Sequence, residues 1–290
     1  MQSGPFREGE QVILIDPKAR RYLVMLRAGD QFSSHLGQIP HAAIIGLAEG
    51  SRTVSNMETP FLVFRPTVAD YILKMRRGAQ VLYPKDIASV LVWGDIYPGA
   101  TVLEAGAGSG ALSLALLRAI GEKGLLITYE IREDFLRQAR ANVERYLGPV
   151  PNWRLRLRDV YDRVEDGPVD RAVLDVPEGW RAVPHVAKAL RPGGLLTAFY
   201  PTVPQVQAMV SAIEAHPTLL VEEVFETILR TWNVQGQSVR PDHRMVAHTG
   251  FMITARRLSE GAKKSTPPPI PAETLPQEAD AQVSAKAEDL

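Results

Sequence analysis

Apolar and polar positions fall into two regimes along the chain. Over the first 65 residues the apolar runs are short and rich in β-branched residues. Residues 11–16 (QVILID) and 22–27 (YLVMLR) predict strands, and Asp16, Pro17 and Lys18 predict a hairpin turn between them. Residues 41–47 (HAAIIGL) fit neither period. Residues 61–64 (FLVF) predict another strand, closed by Arg65-Pro66. From Thr67 onward the pattern changes. Helical stretches at 68–75, 87–93, 111–120, 134–147, 183–190 and 203–215 interleave with strand-like runs at 101–105 (TVLEA), 125–130 (LLITYE), 171–176 (RAVLDV) and 195–200 (LLTAFY). Residues 154–158 (RLRLR) alternate with period two, and 191–194 (RPGG) predict a turn. Strands alternating with helices imply right-handed crossovers and a parallel sheet. Two late runs, 219–229 and 249–257, flank a loop with no helix between them, which predicts an antiparallel addition at the sheet's end.

This divides the chain into a small β-rich domain at 1–65, an α/β domain at 66–258 and a tail at 259–290. The tail has five prolines and no aromatic residue, too little apolar surface to offset ordering entropy, so it is expected to be disordered. The whole chain, 290 residues with 45% apolar and 23% charged positions, has ordinary globular composition. No apolar run reaches the length of a transmembrane helix, and the start lacks the basic-then-apolar pattern of a secretory signal. Cysteine is absent, which excludes disulfides, thiolate zinc sites and cysteine nucleophiles and makes cytoplasm the expected compartment. Charge is balanced overall, but the tail holds −3 and the body therefore +3. Such a body neither announces nor forbids nucleic acid as a partner.

The strand at 101–105 runs directly into Glu104-Ala-Gly106-Ala-Gly108-Ser-Gly110, and a helix opens at once. Small residues let the backbone take positive φ and approach a ligand. The helix start presents N–H groups without intrahelical partners. In open α/β sheets, ligands sit at the carboxyl ends of strands, near the switch in strand order. Two cofactors fit. Gly106, Gly108 and Ala111 match the dinucleotide spacing G-x-G-x-x-A, with Glu130 twenty residues past Gly110 to hold a ribose hydroxyl. Equally, Glu104 with the three glycines matches the E-x-G-x-G-x-G turn of class I S-adenosylmethionine (SAM) methyltransferases, where Glu130 has the same task. Two acids favour SAM. Asp159 follows the third strand, where an acid can hold an adenine, its alternative being a helix cap. Glu104 suits an ammonium group and would repel a pyrophosphate.

Asp175, in Leu174-Asp-Val-Pro-Glu-Gly-Trp180, closes the fourth strand, where catalytic groups of such sheets are found. Methyltransferases acting on adenine N6 carry Asp/Asn-Pro-Pro-aromatic at this point, and the missing aromatic argues against that activity here. A loop cap is the plain alternative for Asp175, and a solvated charge for Glu178. Taken with residues 35–41 (HLGQIPH), 64–67 (FRPT), 80–86 (QVLYPKD) and 248–250 (HTG), these segments make the chain similar to the tRNA (adenine-58-N1)-methyltransferase family, TrmI-like, in its bacterial and archaeal homo-oligomeric form and of actinobacterial type. The resemblance spans residues 5–258. The glycine turn is common to many methyltransferases, whereas YPKD and DVP are far more specific.

The resemblance implies an α/β class I SAM-dependent methyltransferase Rossmann-like fold with a small β-rich N-terminal domain. It implies SAM as cofactor, S-adenosylhomocysteine as product, ring N1 of adenine 58 in the tRNA T-loop as target, and a homotetramer. The implied cofactor residues are Gln80, Glu104, Gly106, Gly108, Ser109, Gly110, Ala111, Leu112, Glu130, Asp159, Val160 and Asp175. Asp175 is the implied catalytic residue, with Tyr83 and Tyr200 lining the adenine pocket, although core packing is an equal prospect for both tyrosines. No metal and no membrane is expected. His35 and His41 read as structural or RNA-facing, and Arg7, Lys18, Arg20, Arg21 and Arg27 as phosphate contacts or a solvated face. Residues 230–244 form a late loop suited to tRNA or a neighbouring subunit. The competing readings are a SAM enzyme for another RNA base, a protein carboxylate or a small molecule, an NAD-dependent oxidoreductase, and a non-catalytic RNA-binding subunit. The intact glycine turn and Asp175 disfavour the last.

Overall fold

The structure is a computed structural model that describes residues 3–78, 80–262 and 264. Strands β1 (Gln11–Ile15) and β2 (Arg21–Met25) form the expected hairpin. Asp16 shapes its turn by accepting from the backbone N–H groups of Lys18 and Arg20 at 2.8 and 3.0 Å. A short hairpin of β3 (Gln31–Ser34) and β4 (Gly37–Pro40) follows, then β5 (Arg52–Val54) and β6 (Pro60–Phe64). The four-stranded sheet has the order β2-β1-β6-β5 and closes on Phe6, Val12, Leu14, Ile39, Phe61 and Val63. The ambiguous segment at 41–47 begins with a single 3₁₀ turn, His41–Ala43. His41 is buried there and accepts the Arg27 N–H at Nδ1, a structural role.

Helix α1 (Val68–Lys74) starts on a capping box: Thr67 accepts the Asp70 N–H, and Asp70 accepts the Thr67 N–H. Arg21 reaches Asp70 at 2.5 Å and fastens β2 to α1. Helix α2 (Pro84–Trp93) opens with proline in its first turn. The remaining elements are β7 (Thr101–Ala105), α3 (Ala111–Ile120), β8 (Leu125–Glu130), α4 (Glu133–Leu147), β9 (Trp153–Leu157), β10 (Val169–Leu174), α5 (Val183–Ala189), β11 (Leu190–Tyr200), α6 (Val203–Ala215), β12 (Leu219–Glu226), β13 (Trp232–Gln235), β14 (Ser238–Pro241) and β15 (Phe251–Arg257).

Seven of these strands form one sheet in the order β12-β15-β11-β10-β7-β8-β9. All run parallel except β15, which is antiparallel to both neighbours, as the late pair of strands predicts. Alternation along β7 divides the core. Val102 faces the layer that holds α1 to α4, and Leu103 and Ala105 face α5 and α6. Strand order reverses between β7 and β10, so their carboxyl ends make the switch point.

Two expectations change. The turn at 191–194 is drawn into β11 as a bulge, because Leu190 pairs with Val169 while Leu195 already pairs with Arg171. Gly193, at φ +77°, takes the kink. The loop between the late strands carries its own hairpin, β13 paired with β14. The tail expected from 259 lies outside the described residues beyond 264. Lys264 itself donates from Nζ to the carbonyls of Ile213 and Glu214.

Candidate active site

The carboxyl ends of β7, β8, β9 and β10 stand in register, and the residues singled out in the sequence gather there. Gly106, at φ +94°, lies where β7 meets β10: a Cβ on it would sit 2.2 Å from the Asp175 carbonyl oxygen. The same junction is closed by the Asp175 N–H donating to the Ala105 carbonyl at 2.9 Å. Glycine is therefore required at 106 by the neighbouring strand as much as by any ligand. Gly110 caps α3 at φ +83°, and a Cβ there would meet the Ala139 carbonyl of α4 at 2.9 Å.

Glu130 folds over the turn. Its carboxylate accepts the Arg132 N–H at 2.9 Å and the Gly108 N–H at 3.3 Å. Asp159 accepts the Tyr161 N–H at 2.8 Å and so caps a turn, no helix following it. Gln80, Gly106, Gly108, Asp159, Asp175 and Tyr83 keep accessible surface. Ser109, Gly110, Ala111, Leu112, Glu130 and Val160 are buried, so contributions from Ser109 to Leu112 come through backbone at the start of α3.

Glu104 sits elsewhere than its sequence position suggests. Its side chain is fully buried between the sheet and α3, with Ser113 and Thr128 hydroxyls donating to Oε2 at 2.7 and 2.6 Å. Trp153 Nε1 donates in turn to Thr128 Oγ1 at 2.8 Å. Burial pushes the Glu104 carboxyl up to about 8, against the two hydroxyl bonds, with Asp175 and Glu130 adding like-charge repulsion. Oε1 has no partner. At about 8 the Glu104 carboxyl is mostly protonated at neutral pH, and with no surface of its own it could touch a ligand only if the turn moved.

Asp175 is half-buried, and no described residue hydrogen-bonds its carboxyl group. Desolvation pushes it up to about 7. Tyr200, at the end of β11, is wholly enclosed: its hydroxyl meets Met209 Sδ at 3.6 Å and its ring packs 6.1 Å from Trp180. Burial drives its phenol well above the usual range, so it is neutral, and with no exposed surface it does not line an open pocket as the resemblance implied, the core-packing alternative fitting instead. Tyr83, the residue before α2, retains partial exposure and can line a pocket directly.

The turn amides and the acidic side chains of Glu104, Glu130 and Asp175 fit a cationic, ribose-bearing cofactor, whose charge would favour their ionised forms, and a pyrophosphate would find acids where it needs cations. No group of three or more potential metal ligands occurs among the described residues, and no described helix is long and apolar enough to cross a membrane. A cavity of 1110 Å³ lies away from these residues, between the N-terminal domain and the ends of α3 and α4, lined by Glu10, Arg65, Arg118 and Tyr146.

Residues 61–250 match the family described as tRNA methyltransferase complex GCD14 subunit, and residues 4–52 match the TrmI-like N-terminal family. The chain belongs to the GCD14/TrmI family of tRNA methyltransferases. The tRNA (adenine(58)-N(1))-methyltransferase TrmI of Thermus thermophilus is 40% identical over 85% of this chain and 96% of its own length. The Methanocaldococcus jannaschii TrmI, named for adenines 57 and 58, is 30% identical over 84% and 94%. Among solved structures, a SAM-dependent O-methyltransferase from Thermotoga maritima aligns at TM-score 0.85 with 29% identity over 89% of this chain and 96% of that one. The Aquifex aeolicus TrmI aligns at 0.78 with 28% identity over 88% and 100%. The protein is thus a transferase with the class I fold, and SAM is its methyl donor. The dinucleotide reading is set aside.

Within this TrmI-family site, one cluster escaped the sequence reading although its residues lie in the quoted YPKD and HTG segments. Lys85, nearly buried, donates at 2.6 Å to each of Asp86, the Thr227 carbonyl and Thr249 Oγ1. Thr249 donates on to Asp86 at 2.7 Å. The knot pins the start of α2 to both roots of the arm that carries β13 and β14. A second is Asn142, which breaks the apolar stripe of α4 and donates to the carbonyls of Arg76 and Ser109, both at 2.8 Å. A polar residue on a buried helix face was the available signal.

Proposed function

We propose that this protein methylates ring N1 of adenine 58 in the T-loop of tRNA, with Asp175 as the catalytic carboxylate. The observation that carries the reading is the partnerless, half-buried Asp175 carboxyl at the switch point, beside the glycine turn. The names of the TrmI relatives supply the substrate.

When bound, SAM supplies a methyl group that its sulfonium already makes electrophilic. Backbone from Gly106 to Leu112 would hold it, with Glu130 at the ribose, Asp159 and Val160 at the adenine, and Glu104 beneath the turn, drawn toward its ionised form by the bound positive charge. Gln80, exposed three residues before Tyr83, would border the same pocket. The target base has to leave its stack, at a cost of a few kcal/mol. Tyr83 provides an aromatic wall for it, worth about 1–3 kcal/mol by stacking, while Tyr200 keeps the floor rigid. The N1 lone pair forms the new N–CH₃ bond as the C–S bond breaks, and S-adenosylhomocysteine departs with the bonding pair. Positive charge spreads from N1 to the exocyclic N6. Asp175 accepts from N6–H, and that bond tightens as the charge grows, which stabilises the transition state more than the ground state. The protein works as a homo-oligomer, in the cytoplasm with its substrate.

Nucleoside mass spectrometry of unmodified tRNA incubated with SAM tests the reading. One methyl recovered as 1-methyladenosine at position 58 supports it; methyl on another atom, or on no nucleoside, contradicts it. Asp175→Ala should keep SAM affinity while turnover falls at least about a hundredfold.

A further inference from the structure

Residues 74–77 (KMRR) leave α1 and lead straight toward Gln80 and Tyr83. Lys74, Arg76 and Arg77 are all exposed, while Met75 between them is buried and anchors the turn. The turn is stapled to the cofactor loop at two points. The Gly78 N–H donates to Ser109 Oγ at 3.1 Å, and one Asn142 amide bridges the Arg76 and Ser109 carbonyls. Gly78 also lies against the Phe135 ring of α4, with room for a Cβ at 3.5 Å.

The charge on this turn is uncompensated among the described residues. Among the described residues Arg77 donates to the carbonyls of Ile72 and Leu73 alone, at 3.0 and 2.8 Å, and so keeps its full charge while capping α1. Neither Lys74 nor Arg76 enters an ion pair among the described residues. Next door, α4 and its approach differ: Arg132, Arg137 and Arg140 are matched by Asp134, Glu133 and Glu144. Three unmatched cations in four residues, held rigidly at the rim of a methyl-transfer site, suit a polyanion that must lie across that rim. Backbone held at fixed distance from the reacting base also limits how far that base swings.

We infer that residues 74–77 form a phosphate clamp that grips the backbone of the RNA substrate beside the extruded nucleotide. The clamp rests on the tRNA reading above and deepens it by naming the chain's contact with the sugar–phosphate strand. Phosphate contacts position a nucleic acid without reading its sequence, so the clamp would serve any tRNA that presents the same loop.

The test is binding of unmodified tRNA by fluorescence anisotropy across a salt series, with wild type, Lys74→Gln/Arg76→Gln and the triple variant that adds Arg77→Gln. SAM affinity by calorimetry is measured alongside, because a collapsed turn would disturb Ser109. The double variant, which spares the α1 cap, should bind tRNA about tenfold more weakly at moderate salt. Its slope of log affinity against log salt should fall by about 1.5 to 2, one step per lost phosphate. Its SAM affinity should equal that of wild type. Wild-type tRNA binding with an unchanged slope in the double variant would overturn the clamp and leave the tRNA reading standing. Wild type that binds no tRNA would overturn both. Loss of SAM affinity in the double variant would show the turn acting on the cofactor loop and overturn the clamp.

Discussion

Asp175 and Glu130 illustrate how carboxyl groups at the same end of one sheet acquire different work. Glu130 has both oxygens occupied by backbone N–H groups, and a ribose hydroxyl would have to exchange with one of them. Asp175 has nothing to exchange. Its folded value of about 7 stands above the roughly 3.9 of an unfolded chain. Between those limits the folded protein holds a proton that the unfolded chain has shed, so this residue's contribution to stability is lost as pH rises through that window. Asp175→Asn should therefore raise the thermal midpoint of the ligand-free protein at pH 8 and leave it unchanged at pH 4. Equal shifts at both values would show that its environment is not desolvating. In single-turnover methylation, where the ionised form is needed, the rate should climb with pH to a plateau, with its midpoint at or below about 7 because the cofactor's cation favours the carboxylate.

At the scale of elements, two devices hold the site in shape. Gly106 lets β7 and β10 touch, and Gly106→Ala should abolish SAM binding by calorimetry because its methyl would occupy the Asp175 carbonyl's position. Retained affinity would mean the strand ends can part. The Lys85 knot is the other device. Lys85→Met strands the nearly buried Asp86 carboxylate, a loss of about 3–5 kcal/mol in urea unfolding, and should speed proteolysis within residues 227–250. These devices differ in how openly the sequence displays them. The glycine turn, the βαβ alternation and the hairpin at 11–27 are local patterns, and each reads directly. The knot joins residues 164 positions apart, so its segments are visible but their contact is not. The bulge in β11 shows its turn chemistry, yet pairing with β10 decides that it stays within a strand. Glu104 follows the expected motif, but only strand alternation turns its side chain toward α3 and beneath the loop rather than toward a ligand.

For the whole molecule, the arm from 228 to 246 stands out as apolar surface without cover. Ile228, Leu229, Trp232, Val234, Val239 and Val246 are all exposed. Such a surface calls for a partner, and the homo-oligomer proposed above provides one. Trp232→Ser with Val234→Ser should shift sedimentation toward a smaller species; an unchanged profile would assign the arm to RNA or leave it uncovered. The chemistry assigned to Asp175 at the switch point is the central claim. It is tested most directly by a double-substitution cycle in single-turnover methylation, crossing wild type and Asp175→Ala with tRNA carrying adenine or unsubstituted purine at position 58. If Asp175 accepts from N6–H, removing N6 slows wild type strongly and slows the variant far less, giving a coupling of at least about 1.5 kcal/mol. Strictly additive losses would contradict it.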